Sequence, residues 1–137
     1  MRVIVDTNVI LDVLLAREPF AEPASRVFAL AEQSKIEASL CATTVTTIHY
    51  LFTQSLPRDD ARHALRSLLR LFEIAPVNRS VIEEALQSKI ADFEDAVVEQ
   101  AGRLSGAEAI ITRNAKHFRS STVKALDPAE FLATIEA

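Results

Sequence analysis

Two aspartates in this sequence stand where their carboxylates can meet at one edge of a sheet. Asp6 directly follows the apolar run 3–5, and Asp95 lies in the first turn of a segment with helical apolar spacing. If the run is a buried strand, Asp6 lies at its carboxyl end, where open α/β sheets bind ligands. Two close carboxylates repel each other unless a cation bridges them. Oxygen ligands with open positions suit Mg²⁺ or Mn²⁺, which can activate water for attack on a phosphodiester.

Each acidic residue also has a plainer structural interpretation. The Asp6 carboxylate can accept N–H bonds from the turn that follows it. Asp92 can cap the helix that contains Asp95, because acidic residues in a first turn interact favourably with the helix dipole. Glu99 follows Asp95 by four residues, so the spacing predicts one acidic strip along that helix.

The elements that must position these residues alternate along the chain. Short apolar runs predict strands at 3–5, 36–42, 72–77 and 109–112, and an edge strand at 123–126. Amphipathic segments between them predict helices. This alternation is typical of an α/β domain with a mainly parallel sheet, and no linker or repeat interrupts it. We therefore expect one domain spanning residues 1–137.

Several residues are candidates for helix ends. Asn8 is placed to cap a first helix over 9–16, and Thr43 or Thr44 is placed to cap a later one. Gly106 fits the end of the helix that Asp92 opens, and Asp127 precedes a last helix. The helix opened by Asp92 has a predicted apolar stripe, formed by Phe93, Val97, Ala101 and Leu104.

Composition limits the classes of function. The net charge is −4, which argues against a pure nucleic-acid-binding module but not against a metal-dependent nuclease with an acidic site. The single cysteine, Cys41, excludes an internal disulfide and fits a reducing compartment. Neither a signal peptide nor an apolar run of about 20 residues is visible. We therefore expect a cytoplasmic protein without a membrane segment.

Three short motifs, in order, resemble the PIN-domain family, which includes the VapC-type ribonuclease toxins. In the first motif, a hydrophobic strand is followed by Asp6 and, two residues later, by Asn8. In the second, the pair Asp95-Ala96 lies near the start of a later helix. In the third, Thr112-Arg113-Asn114 ends a late strand and Phe118 follows soon after. The resemblance implies a three-layer α/β/α sandwich with a mainly parallel sheet of four to five strands. It also implies Mg²⁺ or Mn²⁺ as cofactor, an RNA substrate and an antitoxin partner.

Carried over by position, the resemblance assigns roles to seven residues. Asp6 and Asp95 resemble the metal-binding aspartates, and Asn114 falls where many members have a further acidic residue. Asn8 and Thr112 resemble supporting polar residues, and Asp92 matches more loosely. His49 stands where the family usually has a glutamate, and it is a poor Mg²⁺ ligand. This departure leaves two or three carboxylates, which weakens the expected metal affinity and favours Mn²⁺.

Three hypotheses follow. The first is a metal-dependent endoribonuclease, the toxin of a toxin–antitoxin pair. The second is a catalytically weakened PIN-like domain that binds RNA or protein. The third is a flavodoxin-like or response-regulator domain, which usually has an acidic pair near its first strand, whereas Asp6 stands alone.

Two surfaces are candidates for binding partners. A homodimer is expected through the second and last helices, where Phe131 and Leu132 offer apolar surface. Arginines recur every four residues along one predicted helix, which is either a solvated face or a strip that follows RNA phosphates. These are Arg58, Arg62, Arg66 and Arg70.

Overall fold

The computed structural model describes residues 1–136, which form five strands, seven α-helices and one 3₁₀ turn. The strands are β1 (Arg2–Val5), β2 (Glu37–Cys41), β3 (Glu73–Ala75), β4 (Ala109–Ile111) and β5 (Lys124–Leu126). The helices are α1 (Thr7–Leu14), α2 (Ala21–Glu32), α3 (Ala42–Thr53), α4 (Arg58–Leu71), α5 (Arg79–Leu86), α6 (Phe93–Leu104) and α7 (Pro128–Glu136). The 3₁₀ turn spans Ala115–Phe118. None of these helices is both long and apolar enough to cross a membrane.

All five strands are parallel, in the order β3-β2-β1-β4-β5. The chain moves from β1 outward to β2 and β3, and later returns to add β4 and β5 on the other side of β1. The strand order therefore reverses between β1 and β4. In open parallel sheets, the crevice outside the carboxyl ends at such a reversal is the usual ligand site.

The sheet buries a hydrophobic layer on each face. Val3 and Val5 point into one core with α1, α2, α3, α4 and α7, whereas Ile4 points into the other core with α5 and α6. This alternation follows from the period-two side-chain direction of a strand. The predicted three-layer α/β/α sandwich and its parallel sheet are thereby confirmed, as is the edge position of β5.

Two predicted helix starts are wrong. Helix α1 begins at Thr7 and is capped by Asp6, not Asn8, because the Asp6 carboxylate accepts a hydrogen bond from the Thr7 amide. Helix α3 begins directly after the buried strand end at Cys41, without a side-chain cap. By contrast, Asp127 caps α7 as expected, and it exchanges hydrogen bonds with Glu130 in a capping box.

Helix α6 lies very close to the central strand. A Cβ atom at Gly102 would lie 2.9 Å from Cγ2 of Ile4, so only glycine permits this approach. Gly106, with φ of +84°, ends the helix as predicted. The predicted apolar stripe is partly wrong, because Phe93 and Leu104 at its two ends are about half exposed. The middle of the helix is buried all round, since it packs against both the sheet and α5.

The surface proposed for dimerisation is not available at the residues named for it. Phe131 and Leu132 are buried, because α7 packs on α2 and fills the same core as β1. Cys41 is buried. The arginine-rich helix α4 does expose its basic side chains, and it packs through Ala61 and Leu68.

Candidate functional site

Asp6 lies at the carboxyl end of β1, where it is both a helix cap and a buried acid. One carboxylate oxygen accepts the Thr7 amide proton, and the other accepts the Thr112 hydroxyl proton, both at 2.9 Å. The side chain is almost entirely buried. Burial raises the pKa of Asp6 above its ordinary value, and these two hydrogen bonds offset only part of that effect. A nearby cation would stabilise the ionised form of this buried carboxylate.

Thr112 connects the ends of the neighbouring strands β1 and β4. Its hydroxyl donates to Asp6 and also accepts the Asn114 amide proton at 3.0 Å. Asn8 completes the connection, because its side-chain oxygen accepts the Arg113 amide proton at 3.1 Å. Thr112 and Asn8 therefore fix the loop after β4 against the start of α1. They hold Asp6 in place without presenting a charge of their own.

Asp95 approaches the same position from α6. Asp92 caps this helix by accepting the Asp95 amide proton at 3.0 Å, which fixes the first turn. The Asp95 carboxylate is half-buried, and Nδ1 of His117 lies 3.8 Å from it, beyond hydrogen-bond distance. Burial, followed by the charges of Asp6 and Asp92, raises the pKa of Asp95 to about 6. The negative charge of Asp6 thus disfavours ionisation of Asp95.

An open cleft of about 320 Å³ lies over these carboxylates. Four of the predicted site residues line it, namely Asp6, Asn8, Asp95 and Asn114. The other lining residues are Thr7, Leu11, Arg17, Thr47, Glu94, Val98 and Arg113. The cleft therefore combines acidic, amide and guanidinium groups at the reversal point of the sheet.

A sequence model of the PIN domain matches residues 2–116 of this chain. The chain belongs to the PIN-domain family.

No curated protein matches it in sequence, but solved structures share the fold. VapBC2 from Rickettsia felis, bound to a promoter DNA fragment, has a TM-score of 0.71 at 13% identity, covering 93% of this chain and 98% of that one. FitAcB from Neisseria gonorrhoeae has a TM-score of 0.69 at 22% identity, with coverage of 93% and 98%. A toxin–antitoxin complex from Klebsiella pneumoniae has a TM-score of 0.71 at 20% identity, with coverage of 92% and 97%.

The remaining predicted residues of this PIN domain lie away from the cleft wall. Thr112 is buried behind Asp6, and Asp92 is used as a helix cap. His49 lies half-buried on α3 and does not line the cleft; the α3 residue that lines it is Thr47. The hydroxyl of Thr47 lies 3.2 Å from a carboxylate oxygen of Glu94. Helix α3 therefore presents a hydroxyl to the cleft, and α6 adds a second carboxylate.

Sequence reasoning missed Glu94, Thr47, Arg17 and Arg113. Glu94 carried a usable signal, because it directly precedes Asp95 in the first turn of the helix. Asp12 was a second signal, since a carboxylate in the apolar stretch of α1 needs a buried partner. That partner is the pair of arginines, which the sequence separates from each other by almost a hundred residues.

The donor set fits a hard divalent cation. Among residues 1–136, no three acidic, histidine or cysteine side chains are arranged as a ready metal cage. Mg²⁺ does not require such a cage, because it commonly takes one or two carboxylates and completes its coordination with water and substrate phosphate. Asp6 and Asp95 could supply those carboxylates, and the Asn114 side chain could supply an amide oxygen.

Proposed function

We propose that this PIN domain is an endoribonuclease that depends on Mg²⁺ or Mn²⁺ and cleaves RNA phosphodiesters. The observation that carries the proposal is the pair Asp6 and Asp95, two acids with raised pKa values facing one cleft. A structural ion pair would have placed a cation of the chain between them. The pair instead leaves its negative charge for a cation from solution, which the repulsion between the carboxylates favours.

The chain's own residues have separable roles in this proposal. Asp6 and Asp95 hold the metal, and Asn114 supplies a neutral oxygen at the exposed side of the cleft. Thr112 keeps Asp6 in one orientation, as supporting groups of metal ligands generally do. A divalent metal held there would supply charge stabilisation for phosphoryl transfer. Asp92 acts indirectly, because its cap fixes the helix turn that carries Asp95.

We further propose that the protein is the toxin of a toxin–antitoxin pair in the cytoplasm, with a protein antitoxin as partner. The VapBC, FitAcB and Klebsiella pneumoniae complexes with this fold support the proposal. A homodimer also remains a proposal, although it must use a surface other than Phe131 and Leu132. Expression of the chain in bacteria should arrest growth, and the Asp6→Asn variant should not.

The direct experiment is cleavage of structured RNA by purified protein with Mg²⁺ and then with Mn²⁺. We expect cleavage that requires the metal and falls at least about 100-fold in Asp95→Ala, since losing even a supporting group typically costs 10–100-fold. Glu99→Gln on the same helix is the matched control and should cleave normally. Metal-independent cleavage, or equal cleavage by Asp95→Ala, would refute the proposal and indicate a contaminating nuclease.

A second candidate function is a weakened domain that binds RNA or protein without cleaving. The observation in its favour is that α3 presents the Thr47 hydroxyl to the cleft and no carboxylate. If this weakens the site, Thr47→Glu should raise metal affinity and cleavage, measured by calorimetry and RNA turnover. His49→Glu, two residues along the same helix, should have no effect because it lies outside the cleft. A gain only in His49→Glu would reverse this assignment.

A further inference from the structure

A buried ion triad lies beside the acidic cleft. Asp12 on α1 is fully buried, and its carboxylate accepts hydrogen bonds from two arginines. Arg113 binds it through two nitrogens, Nε at 2.6 Å and Nη2 at 3.1 Å. Arg17 binds it through Nε at 2.9 Å and donates from Nη2 to the Asn8 carbonyl at 3.3 Å. The two arginines come from opposite ends of the chain and meet at one carboxylate.

The triad leaves one positive charge and several donors unused. One carboxylate faces two guanidinium groups, and each guanidinium has five N–H donors, of which two are used here. Both arginines line the cleft that contains Asp6 and Asp95. Their side chains keep 38% and 27% of their surface exposed, so solvent reaches both side chains. Neutralising Asp12 would have required one arginine only.

Both guanidinium groups are held in fixed positions. Arg113 lies over the ring of Phe20, with its central carbon 3.9 Å from the ring centroid. Arg17 is fixed by Asp12 on one side and by the Asn8 carbonyl on the other. A rigid pair of forked donors loses little side-chain entropy when it binds a tetrahedral anion, and guanidinium groups match phosphate geometry.

We propose that Arg17 and Arg113 bind an RNA backbone phosphate next to the scissile bond, and that Asp12 positions both. This inference rests on the proposed ribonuclease function. Charge provides the reason, because a chain of net charge −4 with three acids in its cleft would otherwise repel RNA. The arginine row of α4 does not line the cleft, so it cannot make this contact.

The test measures binding of a short fluorescent single-stranded RNA by anisotropy with Mg²⁺ present. The Asp95→Asn background prevents cleavage during the measurement. Arg17→Ala is the informative variant, since Arg113 still pairs with Asp12 through two bonds and the fold should persist. We expect affinity to fall about tenfold. We also expect the slope of log affinity against log salt concentration to become shallower by about 0.7, the value for one phosphate contact on a single strand.

Arg79→Ala on α5 is the matched control, because it removes the same charge from a fully exposed arginine paired with Glu83. Its salt slope should stay unchanged. Arg17→Lys keeps the charge but loses the fork, and should bind with intermediate affinity. Equal losses in Arg17→Ala and Arg79→Ala would overturn the inference, because a general charge effect would then explain both.

Replacing single RNA phosphates by uncharged methylphosphonates locates the contact. One position should weaken binding by the Asp95→Asn protein about tenfold. The same replacement should weaken binding less when Arg17 is already alanine, because only Arg113 then contacts the phosphate. Additive losses at every position would contradict a direct contact. If the wild type cleaves RNA but the Arg17→Ala variant binds RNA normally, the proposed phosphate contact is refuted and the proposed ribonuclease function is not. If the wild type neither binds nor cleaves RNA, both proposals fail.

Discussion

Asp95 and Glu99 lie one turn apart on α6, but their surroundings differ. Asp95 lines the candidate site, whereas Glu99 is buried in the fold. Glu99 is 2% exposed, and its carboxylate accepts hydrogen bonds from Ser88 and Gln100 at 2.8 Å and from the Thr122 amide at 3.1 Å. Asp95 is more exposed, lacks comparable donors and faces Asp6 across the cleft. The two acids therefore differ in burial, and they differ also in the number of donors around each carboxylate.

Their pKa values move in opposite directions. Burial alone would raise the pKa of Glu99, but the donors around its carboxylate outweigh burial and hold that pKa below its ordinary value. Burial and the charge of Asp6 raise the pKa of Asp95 to about 6. A satisfied carboxylate stabilises the fold, whereas an unsatisfied one stores unfavourable energy that a metal can relieve. The predicted acidic strip ends at Asp95, because Glu99 is buried and does not line the cleft.

The largest effect expected from this contrast is on activity. Asp6→Asn should abolish divalent-metal binding and reduce RNA cleavage at least about 100-fold, since a supporting group alone is worth 10–100-fold. The folded state should not lose stability, because the substitution removes a charge whose burial is unfavourable. Calorimetric titration with the metal checks the loss of binding, and thermal unfolding checks that stability is kept. Unchanged metal affinity would eliminate Asp6 as a ligand.

The next effect concerns the group that supports Asp6. Thr112→Val keeps the side-chain shape but removes the hydroxyl that donates to Asp6 and accepts the Asn114 amide proton. We expect metal affinity to fall about 10–100-fold. Thr122→Val is the matched control, because Thr122 binds Glu99 through its backbone amide. Equal metal affinity in the two variants would show that Asp6 needs no support from β4.

Replacing Glu99 should lower stability and leave RNA cleavage intact, which is the reverse of the effect expected for Asp6→Asn. Glu99→Ala leaves buried donors without an acceptor, which typically costs about 1–3 kcal/mol of unfolding free energy. Cleavage per folded molecule should stay within about twofold of the wild type. Urea unfolding followed by an activity assay tests both statements. A stable variant with lost activity would make Glu99 part of the site.

The smallest effect is a pH dependence of opposite sign at the two acids. In metal-free protein, Asp95 binds a proton more readily when folded, so its contribution to stability falls as pH rises from 3.8 to about 6. Glu99 binds its proton less readily when folded, so its contribution is present above pH 4.5 and is lost as pH falls through the lowered pKa.

The measurement compares unfolding free energies of Asp95→Asn and Glu99→Gln with the wild type from about pH 3 to about pH 7, which includes the range below 4.5 where Glu99 titrates. Asp95→Asn should gain stability relative to the wild type as pH rises, and Glu99→Gln should lose it. Asp6, Asp92, Glu94 and His117 also face Asp95, and Asp6 contributes with the same sign. Parallel profiles for the two variants would remove the distinction between them.

Much of the fold was predictable because parallel strands and amphipathic helices leave regular patterns in a sequence. The apolar runs predicted all five strands to within a few residues, and the position of Asp6 at a strand end predicted the edge of the sheet where the cleft lies. Helix starts were less predictable. Asn8 and Asp6 are both good caps by residue type, and only the path of the chain after β1 selects Asp6.

Local sequence patterns specify the alternating α/β elements, the PIN-domain motifs and the placement of Asp6 and Asp95 after strand and cap signals. The neighbours of each carboxylate depend on tertiary packing. It placed Thr47 in the cleft in place of His49, surrounded Glu99 with donors and joined Arg17 to Arg113 through Asp12. The physical reason is that local periodicity fixes which elements form. The charge state and role of a buried acid depend on groups brought from distant parts of the chain.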